Sequence, residues 1–165
     1  MFNIIIISKI IKSRKIIEIK KSKNIALVAH DNRKDDLLEW ASYNRGKLSR
    51  QKLCTTGTTG RLLEEELVLD IIKLLSGPLA GDQQIGVKIA EQEINFLLFF
   101  WDPLQPLPHD PDIQALLRIA IVWNIPVASN WATADFLVSS PLLEEEYAHT
   151  IPDYSENNNR PLTKG

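Results

Sequence analysis

Apolar positions in this chain come in short blocks, separated by polar stretches rich in glycine and proline. "NIALVA", residues 24–29, is an unbroken apolar run of the kind expected of a buried parallel strand. It runs into "HDNRKDD", residues 30–36, whose acids suit a helix N-terminus. Leu37, Leu38, Trp40, Ala41 and Tyr43 then make one apolar helix face, which ends around Gly46. "KLCTT", residues 52–56, reads as a second strand, followed by "GTTG" and a helix through Leu62 and Leu63. Residues 67–75 are apolar with Asp70 and Lys73 inside, and match no clean period. "SGPLAGDQQIG" is loop-like at first, with a helix expected over residues 83–91. "INFLLFF", residues 94–100, is the clearest buried strand, and a proline-rich loop follows it. A helix over 113–123, a short strand in "IPVAS" (125–129) and a helix over 130–138 complete the pattern; from Pro141 the chain turns acidic and then polar. Strands alternating with helices at this spacing predict a single three-layer α/β domain with a mostly parallel sheet. Its expected bounds are residues 23–154, flanked by an extension (1–22) and a polar tail (155–165). In such folds ligands bind beyond the carboxyl ends of the strands. There the sequence offers His30 and Asp31, Thr56, Asp102, and Ser129 with Asn130, four polar ends expected to converge on one edge.

Charge changes this picture at the N-terminus. The chain of 165 residues has a formal net charge of -2, which argues against nucleic acid as the main partner. Residues 1–24 hold seven Lys/Arg and one acid, a net +6 that leaves -8 for the rest. The apolar run Ile4–Ile7 ends at Ser8 and Lys9, too short to span a membrane, and no signal-peptide cleavage pattern follows. No membrane partner is therefore expected. Isoleucines recur among lysines at Ile10, Ile16, Ile17 and Ile19. The segment is read as a weakly ordered basic extension, ahead of an added edge strand or subunit contact and of a peripheral membrane helix. The single cysteine, Cys54, allows no internal disulfide and fits a reducing, cytoplasmic setting. It lies inside an expected strand, where inert burial is its default.

Two chemistries stand out. "TTGTTG", residues 55–60, sets small hydroxyl residues around two glycines at a strand-to-helix junction. Glycines admit close backbone approach, and helix-start N–H groups attract an anion. Thr56, Thr58 and Thr59 add hydroxyl donors, "SGP" at Ser76–Pro78 offers a second small-residue turn, and Lys34 can reach the same place as a point charge. The spacing is not that of a Walker loop, and a capped helix with a tight turn is the plainer alternative. The second chemistry is acid–base. Asp82 follows a glycine that removes bulk, so a substrate carbon could reach the carboxylate, although a helix N-cap is an equal local reading. His109 and Asp112 lie three residues apart at a helix start, and His30 with Asp31 form another His–Asp edge. No zinc motif, cysteine pair or G-x-S-x-G sequence is present, so neither a metal site nor a serine nucleophile is expected.

Taken together, "NIALVAHDNRK", "TTGTTG", "LSGPLAGDQQIG", "FFWDPLQPLPHDPDIQALLRIAIVWNIPVASN" and "ATADF" closely resemble the methylglyoxal synthase family over residues 23–154. The resemblance implies conversion of dihydroxyacetone phosphate to methylglyoxal and inorganic phosphate, without metal or organic cofactor, by a cytoplasmic homohexamer often inhibited by phosphate. It implies Asp82 as catalytic base and His109 as the group that moves protons among substrate oxygens. His30, Asp102 and Asp112 match polar active-site positions, and Lys34, Thr56, Thr58, Thr59, Ser76 and Gly77 match phosphate-binding ones. Arg160 is the sole candidate for a phosphate-binding arginine near the C-terminus, in an "NNNRP" context that shifts its register. Trp131 departs from the family, whose residue there is usually smaller. The same fold family also contains non-catalytic regulatory ligand-binding domains and a purine-ring cyclohydrolase. A pure binding module could dispense with Asp82 and His109, and both are present.

Overall fold

In the computed structural model, which describes residues 14–106, 108 and 110–155, the apolar runs become a five-stranded parallel sheet. Its strands are β2 (Asn24–Ala29), β3 (Lys52–Thr56), β4 (Ile71–Leu74), β5 (Phe96–Phe100) and β6 (Val127–Ala128), in spatial order β4-β3-β2-β5-β6. Helices α1 (Lys34–Tyr43), α3 (Gly57–Leu67) and α6 (Trp131–Ser139) contribute to one core, and α4 (Gly81–Ala90) and α5 (Asp110–Val122) to the other; α2 (Arg45–Leu48) is a single turn.

The unbroken apolar runs follow from this layering. Ile25, Leu27 and Ala29 of β2 face a core with Trp40, Leu63 and Ala134, whereas Ala26 and Val28 face a second core with Ile85, Leu116 and Ala120. β5 alternates in the same way, with Phe96, Leu98 and Phe100 on the first side and Leu97 and Phe99 on the second. Both faces are covered, so alternation with polar residues would cost core contacts, each large side chain contributing about 1.5–3 kcal/mol. The connections from β2 run outward through β3 to β4, then return across the sheet to β5 and β6. The order therefore reverses between β2 and β5, and a crevice opens there at the carboxyl ends.

Three differences from the sequence reading matter for function. The unassigned segment 67–75 contains β4, an edge strand whose Ile72 and Lys73 are exposed because only one neighbour covers it. The helix expected from residue 83 begins at Gly81, so Asp82 lies within its first turn and the N-cap position falls to Ala80. Likewise α5 starts at Asp110, which places Asp112 in its first turn.

The extension requires a correction. Residues Arg14–Ile19 form strand β1, paired antiparallel with β7 (Tyr147–Pro152), from Arg14 opposite Pro152 to Ile19 opposite Tyr147. Ile19 is buried, whereas Ile16 is exposed. Lys23 is buried as well: its Nζ donates to the carbonyls of Lys20 and Glu145 and ties the turn after β1 to the segment before β7. Burial pushes the Lys23 pKa below the ordinary lysine value, opposed by Glu146 and Glu145. Weak order is thus the wrong description of residues 14–22; residues 1–13 lie outside those described. Among the described residues no helix is long and apolar enough to cross a membrane.

Candidate active site

Beyond the carboxyl ends of β2, β3 and β5 lies a cavity of about 380 Å³, lined by His30, Asp31, Lys34, Thr56, Thr58 and Thr59, by Ser76, Gly77 and Pro78, and by Asp82, Pro108 and Asp112 over a floor from Val28, Ala29 and Phe99. Ten of these residues belong to strand ends or helix first turns, which is how segments far apart in sequence meet.

The side of the cavity that carries the hydroxyl residues and Lys34 is built by close backbone approach. Thr56 ends β3 in an extended conformation and its side chain makes no capping bond, so the first N–H groups of α3 are not occupied by it. A Cβ at Gly57 would lie 3.2 Å from the Ser76 nitrogen, which is why the two small-residue turns can sit together. Lys34 reaches across from α1: its Nζ donates to Thr58 Oγ1 at 2.8 Å and pairs with Asp31 Oδ1 at 2.6 Å. An ammonium, hydroxyls and helix N-termini thus gather at one end of the cavity, an arrangement that favours a dianion.

The acid–base side is set by α4 and its approach. The chain leaves β4, makes a 3-10 turn at Gly77–Leu79, and enters α4 through Ala80, whose φ of 75° is left-handed. Gly81 donates its N–H to the Ser76 carbonyl at 2.9 Å. A Cβ there would stand 2.1 Å from the Leu75 carbonyl oxygen, so only glycine fits. The Leu75 N–H in turn donates to Gln84 Oε1 at 2.9 Å, which closes the segment on α4. This buries Asp82 to 2% exposure while it still lines the cavity. Asp112 enters the same space from α5.

His30 follows β2, donating its backbone N–H to Phe100 at 3.1 Å, with its ring edge-on to Phe99. Its Nδ1 accepts the backbone N–H of Asp102 at 3.2 Å. A main-chain amide can only donate, so Nδ1 carries no hydrogen and the proton of the neutral ring sits on Nε2. Asp102 itself does not line the cavity; it stands behind His30. Its carboxylate accepts from Asn32 Nδ2 and from the Leu104 N–H, both at 3.1 Å. The Asn32 bond first, then the Leu104 bond, hold its pKa below the ordinary carboxylate value, with burial opposing and Arg33 assisting.

Of the four polar strand ends expected to converge, two bring their residues to the cavity, Asp102 stands behind His30, and the last does not reach it. Asn130 caps α6 by accepting the Thr133 N–H at 2.9 Å, and neither it nor Ser129 lines the cavity. Trp131 turns inward, packing edge-on against Phe100 at 6.3 Å in the core away from the cavity. His109 and Arg160 lie outside the described residues. The bond of Asn32 to Asp102 was not visible in the sequence, since nothing local links the two residues, 70 positions apart.

Residues 36–129 match the family model of the MGS-like domain. A methylglyoxal synthase of Proteus mirabilis (strain HI4320) is 60% identical over 132 residues, 80% of this chain and 87% of the relative. The chain belongs to the methylglyoxal synthase family. Its reaction type is accordingly that of an enzyme, a methylglyoxal-synthase-type lyase. A methylglyoxal synthase of Vibrio parahaemolyticus (serotype O3:K6, strain RIMD 2210633) is 58% identical over 132 residues, covering 80% of this chain and 87% of the relative. The crystal structure of methylglyoxal synthase from Elizabethkingia anophelis NUHP1 superposes with a TM-score of 0.87 at 47% identity, covering 92% of this chain and 99% of that one. The likeness in fold therefore extends beyond residues 23–154, over which the sequence resemblance was read.

Proposed function

We propose that this chain converts dihydroxyacetone phosphate to methylglyoxal and inorganic phosphate, with Asp82 as general base. The observation that carries this reading is the meeting of a buried carboxylate and a cation-and-hydroxyl anion pocket in one cavity of triose-phosphate scale. Lys34, Thr56, Thr58, Thr59, Ser76 and Gly77 hold the phosphate. Asp82 removes a proton from the carbon beside the carbonyl, producing an enediolate. The Nε2–H of His30 suits a developing oxyanion, and His109 shuttles the proton between substrate oxygens. Electrons of the enediolate then form a new C=C bond as the C–O bond to phosphate breaks. This requires that bond to stand roughly perpendicular to the enediolate plane, so the anchored phosphate decides between elimination and simple reprotonation. Protonation of the released enol at carbon gives methylglyoxal. Asp112 supports the base or orients a histidine. No cofactor enters this scheme.

The same reading includes a cytoplasmic homo-oligomer, a hexamer, inhibited by its product phosphate, with Arg160 reaching a phosphate site. Exposed apolar side chains at Ile72, Leu75, Leu79 and Val87, around the edge strand β4 and α4, support self-association. Sedimentation equilibrium at micromolar concentration should return an oligomer; a monomer would remove that part. For the activity, phosphate release and methylglyoxal formation from dihydroxyacetone phosphate are measured on the wild type and on Asp82→Asn. The variant should fold and bind phosphate yet lose at least about 10²-fold in kcat, as expected for a missing proton-transfer group. No release by the wild type at saturating substrate would end the proposal.

A further inference from the structure

The tautomer of His30 depends on where one backbone N–H stands, and that N–H belongs to Asp102, at the end of β5. The loop carrying it, residues 101–105, crosses the mouth of the sheet between β5 and the start of α5, with no regular structure of its own. Two bonds to the Asp102 carboxylate hold this loop. One, from Leu104, is local and moves with the loop. The other, from Asn32 Nδ2 to Oδ2 at 3.1 Å, reaches from the 3-10 turn that joins β2 to α1 and so anchors the loop to a different segment. Asn32 is exposed and does not line the cavity.

We propose that Asn32 is a positioning residue: by tethering Asp102 to the turn after His30, it keeps the Asp102 N–H on Nδ1 of His30 and so keeps the proton on Nε2, where the substrate oxygen needs a donor. The tether closes a ring of contacts, from the His30 ring to the Asp102 amide, through the Asp102 carboxylate to Asn32, and back along two peptide units to His30. Without it the Asp102 amide can drift from Nδ1, and the Nδ1–H tautomer of the ring gains population. The Nδ1–H form presents a lone pair from Nε2 to the substrate oxygen and repels a developing oxyanion. The lowered pKa of Asp102 agrees with the geometry, since Asn32 is its largest cause and stabilises the ionised carboxylate that accepts both bonds. The other charged group near that carboxylate is the Arg33 guanidinium.

This inference rests on the function proposed above, and its test separates the two. Long-range nitrogen–proton NMR on histidine-labelled full-length protein reads the tautomer of His30 without substrate, and steady-state assay of phosphate release reads kcat and KM. Asn32→Asp keeps the shape and loses the donor; Asn32→Leu loses the donor without adding charge; Asn32→Gln keeps an amide donor on a longer arm. Wild-type protein should show His30 with hydrogen on Nε2. Both donor-less variants should show a mixed population and a kcat lower by about tenfold or more, the low end of what an acid–base group contributes, with KM within about threefold. The glutamine variant should recover most of both readouts. An unchanged tautomer in the donor-less variants, whatever their kcat, overturns the proposal, and so does a changed tautomer with wild-type kcat. Should the wild type fail to release phosphate, the functional reading falls, while the tautomer measurement still decides the role of Asn32 in holding the ring.

Discussion

Replacing Gly81 by alanine adds a single methyl group one residue before the proposed base. The ideal Cβ would lie 2.1 Å from the Leu75 carbonyl oxygen and 2.9 Å from the carbonyl carbons of Leu75 and Ser76. All three atoms are backbone, so no rotamer change relieves the overlap. Real Cβ contacts stay beyond 3.0 Å, and the first turn of α4 must therefore retreat from residues 75–76 by roughly 1 Å. The Gly81 N–H bond to Ser76, now 2.9 Å, opens with it. Asp82 is carried along, away from the Ser76–Gly77 edge proposed to hold the phosphate. A misplacement of about 1 Å at a reacting group costs on the order of 10²-fold, or about 2.7 kcal/mol of barrier. Strain of about 1–3 kcal/mol should appear in stability too, lowering Tm by roughly 2–4 °C per kcal/mol. The assay is kcat and KM for phosphate release well below the melting temperature, with circular dichroism to show that the variant is folded. A folded Gly81→Ala enzyme within threefold of wild-type kcat would refute the reasoning, because it would mean that the turn can open without moving Asp82.

Ala80→Gly is the contrasting change in the same turn: relief of the left-handed strain, about 1–2 kcal/mol, offsets the extra chain entropy of glycine, so Tm should hold or rise by a few degrees. A clear fall in Tm would show that Ala80 contributes packing not seen in its exposed position. Burial pushes the Cys54 thiol up to about 11, so the native protein at pH 8 should resist iodoacetamide, whereas the urea-unfolded chain reacts; rapid native labelling would mean that the sheet opens at β3. Deleting residues 1–22 removes β1 and exposes the inner side of β7; with Ile19 alone contributing about 1.5–3 kcal/mol of burial, Tm should drop by roughly 5 °C or more. An unchanged Tm would show the β1–β7 pair to be dispensable.

Where periodicity has one physical cause, it could be read directly. β2 and β5 are buried on both faces, so they carry unbroken apolar runs, and the helices that cover them keep one apolar stripe. β4 mixes Ile71 and Leu74 with Lys73, because an edge strand meets solvent on one side, and its pattern matched no period. β1 and β7 were illegible for another reason: Arg14 and Pro152 are neighbours across a gap of well over a hundred residues, and no turn between them announces the pairing.

The candidate site divides along the same line. Residue types and their order along the chain marked a candidate anion pocket, with a capped helix as the alternative, and they marked Asp82 as either base or cap. The tertiary structure removes the cap reading, because Ala80 holds the N-cap position and Asp82 lies inside the helix. The Leu75 carbonyl pressed against Gly81 starts α4 early enough to put Asp82 in its first turn, buried and facing the cavity. The same holds for Asn130, which the chain order places at a strand end but the fold spends on a helix cap. Asn32 and Asp102 show the limit most clearly. Their hydrogen bond exists because β2 and β5 are adjacent where the strand order reverses, and adjacency of strands is a property of the packed sheet. The chain by itself determined which chemical groups were available and on which element each would sit; which of them meet, and which nitrogen of His30 keeps its proton, was decided when the two faces of the sheet were covered and its carboxyl ends were brought together.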